Sequence, residues 1–249
     1  MPVTVPAIVP VGVSPDDADV RRILKDEAVS LAYQPIVDVK TSAVIAVEAL
    51  ARFPDQTSPL AVLRAAEPLG LGADIEALII RRALADRFRV PDNVLLSINV
   101  APARLLVDPV RSLVVGVDLK GIVLELTEHA LPPAPEHLLP MITMLREQGA
   151  LIALDDAGAG YQGIQQVAEL RPDWVKIDRS LVTGAATDSV RRASLQMFGR
   201  VTRRVGALAV AEGVETDEDL ETLRELEIPL AQGYLLGAPS GHVRHLARS

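Results

Sequence analysis

The 249-residue chain contains no cysteine, which excludes disulfide staples, thiolate nucleophiles and cysteine-ligated zinc and leaves redox chemistry silent about its compartment. Aromatic residues are scarce at 3%, although 49% of the chain is apolar. The core must therefore be built from Val, Leu, Ile and Ala, which suits parallel strands buried under helices better than an antiparallel sandwich. Basic residues are in deficit: 25 Lys and Arg against 33 Asp and Glu leave a formal charge of −8. That argues against an extended nucleic-acid interface, because such binding is driven by a basic stripe that releases counterions. A small anionic ligand remains open if metal ions or a few arginines meet it. No apolar run approaches the ~20 residues that span a bilayer, so no membrane insertion is expected. The opening MPVTVPAIVPVGVSP has no basic leader region and is interrupted by Pro2, Pro6 and Pro10, which a signal-peptide helix would tolerate poorly. Residues 1–14 are expected to form an extended or disordered arm ahead of one domain at 15–249, and the protein is expected to be cytoplasmic.

Helix signals begin at Ser14, read as a cap with Pro15 at the first helical position and acids behind it, and a helix to about Ser30 is expected. Short β-rich runs then alternate with helical segments: LAYQPIVDV, AVIAVEAL, NVLLSINV, GIVLELTE, LIALDD, WVKID, ALAVAEGV and AQGYLL. Segments such as PEHLLPMITMLREQG and TDEDLETLRELEI, the latter capped by Thr216, are long enough to cross over between parallel strands. Between the first two strands, Lys40, Thr41 and Ser42 leave no room for a crossover helix, so these two should pair antiparallel. Eight strands in a chain of this length point to an α/β fold, a TIM-like (β/α)8 barrel with the first strand antiparallel to the others. A doubly wound open sheet is the alternative, disfavoured because no dinucleotide-type glycine fingerprint follows an early strand.

In such barrels chemistry sits at the carboxyl ends of the strands. Glu48, Asn99, Glu125, Asp155, Asp156, Lys176, Asp178, Glu212 and Gln232 all fall at or near such ends. Any one of them alone could simply meet solvent, a helix N-terminus or a lysine. Converging carboxylates, however, repel one another and are costly to desolvate, so something positive should sit among them. Oxygen donors without Cys or clustered His favour Mg²⁺ or Mn²⁺ over zinc. His129, His137, His242 and His245 form no HxxxH pattern and read as surface residues. Asp155 and Asp156 are neighbours, so they can share a site only if the second has already left the strand. Gly158 and Gly160 allow such a departure, and equally allow an ordinary tight turn.

From Leu31 to Pro239 the chain resembles the EAL-domain family, phosphodiesterases that cleave the bacterial second messenger cyclic di-GMP. The residues that carry the resemblance are YQPIVDVKTSAVIAVEALAR, SINVAP, LELTE, LDDAGAGY, PDWVKID, AEGVET and QGYLLGAP, in the family's order. The resemblance implies that Glu48, Asn99, Glu125 and Asp155 bind one divalent ion, Mg²⁺ or Mn²⁺, and that Asp155 with Asp156 holds a second. It implies catalytic roles for Glu212 as general base, for Lys176 and for Glu48. Gln34, Arg52 and Asp178 are similar to residues that contact the substrate, as is Gln232, which also supports the catalytic centre. Glu128 is similar to the residue that braces the loop after the fifth strand. A homodimer is implied, and regulatory input would arrive through a separate signalling protein, through dimerisation, or not at all.

Where the family usually has DDFGTGYSS this chain reads DDAGAGYQG, with Ala157, Ala159, Gln162 and Gly163 replacing Phe, Thr and two serines. The large apolar anchor is the costliest of these losses if it is packed in other members. The expectation is an active, two-metal cyclic di-GMP phosphodiesterase yielding linear pGpG. Two alternatives stay open: a non-catalytic EAL-like receptor or scaffold, and a barrel enzyme in which Lys176 abstracts a proton beside one Mg²⁺.

Overall fold

The computed structural model describes residues 15–127, 137–157 and 161–242. The arm at 1–14, Glu128, His129, Gly158, Ala159, Gly160 and His245 lie outside that description, as do the side chains of Asp156, Ala157 and Gln162. Eight strands close into a barrel in sequence order: β1 Ser30–Asp38, β2 Val44–Arg52, β3 Leu95–Val100, β4 Ile122–Thr127, β5 Leu151–Ala157, β6 Trp174–Ile177, β7 Leu208–Ala211 and β8 Leu230–Ala231. β1 runs antiparallel to both β2 and β8, and every other neighbouring pair is parallel. The short connection after β1 explains the reversal. Asp38 Oδ1 accepts from the Lys40 and Thr41 amides at 3.0 and 2.7 Å, and Ser42 sits at φ 60°, so the chain turns back at once instead of crossing over.

Helices among the described residues pack outside this barrel: α1 Asp17–Lys25, α2 Pro59–Ala66, α3 Gly72–Ala85, α4 Val110–Val114, α5 Leu138–Glu147, α6 Tyr161–Leu170, α7 Arg179–Val182, α8 Ser189–Val205 and α9 Asp217–Glu225. Most of the core is the apolar layer between strands and helices, including Leu96, Ile98, Leu124, Leu126, Leu154, Val175 and Ile177. A smaller cluster joins α1, α2 and α3 through Val20, Ile23, Val62, Ala66, Ile75 and Leu78.

Three expectations need correction. The first helix is capped by Asp16, not Ser14, and stops at Lys25: the Asp16 carboxylate accepts from the Asp19 amide while the Asp19 carboxylate accepts from the Asp16 amide, a reciprocal cap that fixes the start at Asp17, two residues beyond Pro15. Glu27 at φ 46° then breaks the helix ahead of β1. β8 is only two residues long, because after Ala231 the chain turns over the barrel end and Ser240 returns to pair with Tyr33 through hydrogen bonds of 2.7 and 2.9 Å. Finally, β5 continues through Asp156 to Ala157, while its register against β6 steps from Leu154↔Val175 to Ala157↔Ile177. One extra residue on β5 makes a bulge, and a bulge breaks the strict alternation of faces without a departure from the strand.

Candidate active site

The barrel interior has an apolar floor and a polar rim, related by the two-residue period of the strands. Ala46, Val123, Ala153, Trp174, Val210 and Leu230 cluster with Ile36. Two residues further along each parallel strand or its exit stand Glu48, Glu125, Asp155, Lys176, Glu212 and Gln232, on the same face. On the reversed β1 the same step runs backwards, from Ile36 to Gln34. Strand alternation therefore carries most of the expected site residues to one end of the barrel.

Lys176 lies at their centre, 1% exposed. Its ammonium is 2.7 Å from Glu212 Oε1, 2.8 Å from Glu125 Oε2, 3.2 Å from Asp155 Oδ1 and 3.4 Å from Glu48 Oε2. Glu48 also accepts from Asn99 Nδ2 on Oε1 and from Gln232 Nε2 on Oε2, both at 2.7 Å. Gln232 Nε2 reaches Gln34 Oε1 at 3.3 Å, and Gln34 Nε2 donates to the Gly237 carbonyl at 3.2 Å. The sequence reading missed Ser97, whose hydroxyl donates to Glu125 Oε1 at 2.5 Å. The signal was present: two residues before Asn99 on one strand is the same face.

One ammonium cannot neutralise four carboxylates, and their protonation behaviour follows from that imbalance. Burial pushes the Glu125 carboxyl well above the carboxylate range, helped by Glu48 and Asp155 and opposed by Lys176. Burial likewise lifts Glu212 to about 7 against the pull of Lys176. For Glu48 burial acts upward too, but Lys176 and the bonds from Gln232 and Asn99 prevail and hold it low. Burial opposes the Lys176 charge, yet the surrounding acids raise its pKa well above that of a free lysine, so it remains an ammonium and is not available as a proton-abstracting base at neutral pH.

The donor set suits a hard divalent cation in kind: carboxylate and amide oxygens in excess of positive charge. Two buried oxygens add to this. Gln232 Oε1 has no hydrogen-bond partner, and Asp155 Oδ1 has the ammonium nearby but no aligned hydrogen bond. As they stand, no three acids or histidines among the described residues are set at ligating geometry, since Lys176 occupies the space between the carboxylates.

A cavity of about 320 Å³ opens above this cluster, lined by Gln34, Asp178, Arg179, Glu212, Glu215 and Tyr234. Asp178 caps α7, accepting from the Ser180 amide at 2.9 Å, and Arg179 approaches Glu215 to 3.3 Å. Gly233 is required here, because a Cβ would lie 2.1 Å from the Val214 carbonyl oxygen. Arg52 stays apart from the acids, exposed at the end of β2 and donating to the Ala51 carbonyl at 2.9 Å. A second hollow of about 370 Å³, between α1 and the loop after β2, contains none of the converging acids.

A closed barrel with one reversed strand and a lysine-centred ring of acids at its mouth defines a class of α/β-barrel proteins. The sequence profile of the EAL domain matches residues 17–239, and the chain belongs to this family. It is 32% identical to the cyclic di-GMP phosphodiesterase NbdA of Pseudomonas aeruginosa over 90% of its own length and 30% of that protein's. Among solved structures, the PaMucR phosphodiesterase in complex with c-di-GMP superposes with a TM-score of 0.78 at 29% identity, covering 90% of this chain and 96% of that one. BlrP1 of Klebsiella pneumoniae, in its manganese and cyclic di-GMP complex, gives 0.76 at 28% identity over 86% of this chain and 56% of that one. The chain spans about 30% of the length of the first curated relatives it matches. No described helix is long and apolar enough to cross a membrane.

Proposed function

We propose that the chain hydrolyses cyclic di-GMP to linear pGpG in a divalent-metal-dependent reaction at the barrel mouth. The observation that carries this is the convergence of Glu48, Glu125, Asp155 and Glu212 on one buried ammonium, an arrangement with unmet demand for positive charge. Glu48, Asn99, Glu125 and Asp155 would hold one Mg²⁺ or Mn²⁺, and Asp155 with Asp156 a second. Such ions polarise a phosphodiester and make a water nucleophilic near neutral pH.

The chain's own groups supply the remaining chemistry. Glu212, with a pKa near 7 and an edge on the cavity, takes the proton of the attacking water. The oxygen of that water joins phosphorus while the bond to the ribose 3′ oxygen breaks; the departing oxygen takes a proton from solvent, to which Glu212 returns the one it accepted. Lys176 keeps its charge beside Glu212 and opposes the negative charge that develops on the phosphoryl group. Gln34, Arg52 and Asp178 bind the nucleotide, Gln232 fixes Glu48, and Glu128 supports the loop that follows β5. A cavity of about 320 Å³ lies within the usual range for small-ligand sites. A cytoplasmic homodimer, addressed by a separate signalling protein, completes this reading.

The test is incubation of the purified chain with cyclic di-GMP and Mg²⁺, Mn²⁺ or EDTA, with chromatography of the nucleotides beside a Glu48→Ala control. Metal-dependent pGpG that is absent in the control is the expected result, and unchanged nucleotide in every arm would sink the enzymatic reading. The replaced loop residues at 157, 159, 162 and 163 favour one second reading, a cyclic di-GMP receptor. Binding that persists in EDTA without product would support it.

A further inference from the structure

We propose that Ser97 is a positioning residue that orients the Glu125 carboxylate for metal capture, an inference that rests on reading the barrel mouth as a divalent-metal site. Ser97 is 0% exposed and faces the interior from β3, level with Glu48 in the strand register. It stands between the partly buried Leu95, packed on the floor cluster, and Asn99 of the rim. The floor positions on the two adjoining strands are Ala46 and Val123, both apolar. A hydroxyl at this level has no role in the floor's packing, and its recorded side-chain partner is Glu125 Oε1 at 2.5 Å.

That bond matters because of the other Glu125 oxygen. Oε2 meets the Lys176 ammonium at 2.8 Å, so the carboxylate is gripped at both oxygens, from β3 on one side and β6 on the other. Two grips fix the rotation of the carboxylate about its last torsion, which is otherwise broad. They also hold it against repulsion from Glu48 and Asp155. Were Glu125 to ligate a divalent ion in place of its contact with Lys176, the Ser97 bond would still be available to Oε1. The hydroxyl would hold one oxygen and leave the other for the ion, which is how partners behind a ligand sharpen metal affinity.

The experiment uses the full chain and two near-isosteric variants, Ser97→Ala and Ser97→Cys, the second keeping the side chain's size with a weak donor. Three quantities are read: Mn²⁺ affinity of the substrate-free protein by electron paramagnetic resonance of unbound Mn²⁺, kcat and KM for cyclic di-GMP, and Tm in EDTA. Both variants should bind Mn²⁺ about tenfold more weakly or worse and lose kcat in parallel. KM at saturating Mn²⁺ should stay within about twofold, and Tm in EDTA should fall modestly because a buried Glu125 oxygen loses its partner, so Mn²⁺ affinity and kcat decide the role. A merely structural serine would shift Tm and leave Mn²⁺ affinity alone. Parent-like Mn²⁺ affinity and kcat in both variants, beside an active parent, would overturn the role of Ser97 while leaving the phosphodiesterase reading intact. A parent that neither binds Mn²⁺ nor forms pGpG would overturn the metal reading, and this proposal with it.

Discussion

Glu76 offers a stability test that is independent of any metal or substrate. It lies on α3, is 8% exposed, and accepts the Ala101 amide at 2.6 Å, just beyond the β3 residue Asn99. Burial raises its pKa to about 7, against the opposing effects of the Ala101 bond and Arg104. In the unfolded chain the same carboxyl ionises near 4.5. Below that value it is neutral in both states and stability is unaffected. Between about 4.5 and 7 the folded protein holds a proton that the unfolded chain releases, so stability falls as pH rises. Above 7 the penalty is complete, and a shift of this size corresponds to about 3 kcal/mol as an upper figure. Glu76→Gln removes the ionisation and keeps a carbonyl oxygen for the Ala101 amide. Urea unfolding in EDTA should therefore show parent-like stability at pH 4 and a gain approaching about 3 kcal/mol at pH 8, or roughly 5–10 °C in Tm for a domain of this size. A difference that does not change with pH, or a loss at pH 8, would refute the reasoning, because only an ionisation that costs the native state produces the rise.

Lys176→Met should strip the acid cluster of its buried cation and cost about 3–5 kcal/mol in EDTA at pH 8, less at pH 5 where the carboxyls take up protons; equal losses at both pH values would contradict the electrostatic account. Tyr33→Phe removes the buried bond from the tyrosine hydroxyl to Asp86 at 2.7 Å and should lower unfolding free energy by about 1–3 kcal/mol, read by urea titration, with kcat unchanged. Gly233→Ala forces a Cβ against the Val214 backbone, which cannot swing aside as a side chain would; a loss of at least about 1–3 kcal/mol is expected, and a parent-like Tm would mean that the β8 exit is looser than described.

The barrel was legible because its signals are local. Eight apolar runs lay close to the eight strands, and the three residues Lys40 to Ser42 were enough to reverse β1. The rim acids were legible through their position at strand ends, which alternation then turned to one face. What was hidden depends on closure of the barrel. Glu48, Glu125, Asp155 and Glu212 are far apart in sequence, and nothing local to Lys176 announces that its ammonium touches all four. Ser97 looked like any strand serine until the opposing Glu125 was in place. The β5 bulge was hidden for another reason: register is a property of two strands, and the pair Asp155–Asp156 alone is compatible with a turn as much as with an extra residue. The short β8 followed the same logic, since AQGYLL has the composition of a strand and is diverted only by the return of Ser240 to Tyr33.

The reversed first strand has a mechanical consequence. In a barrel whose strands all run one way, the polypeptide enters from below, through the floor. Here β1 begins beside the end of β2, with Ser30 opposite Arg52, so the polypeptide is admitted at the mouth, and α1 is anchored there against α2 and α3. Four residues along β1 from Ser30 stands Gln34, whose amide links Gly237 to Gln232 and so to Glu48. The entrance of the chain and the cluster of acids therefore share one end of the barrel.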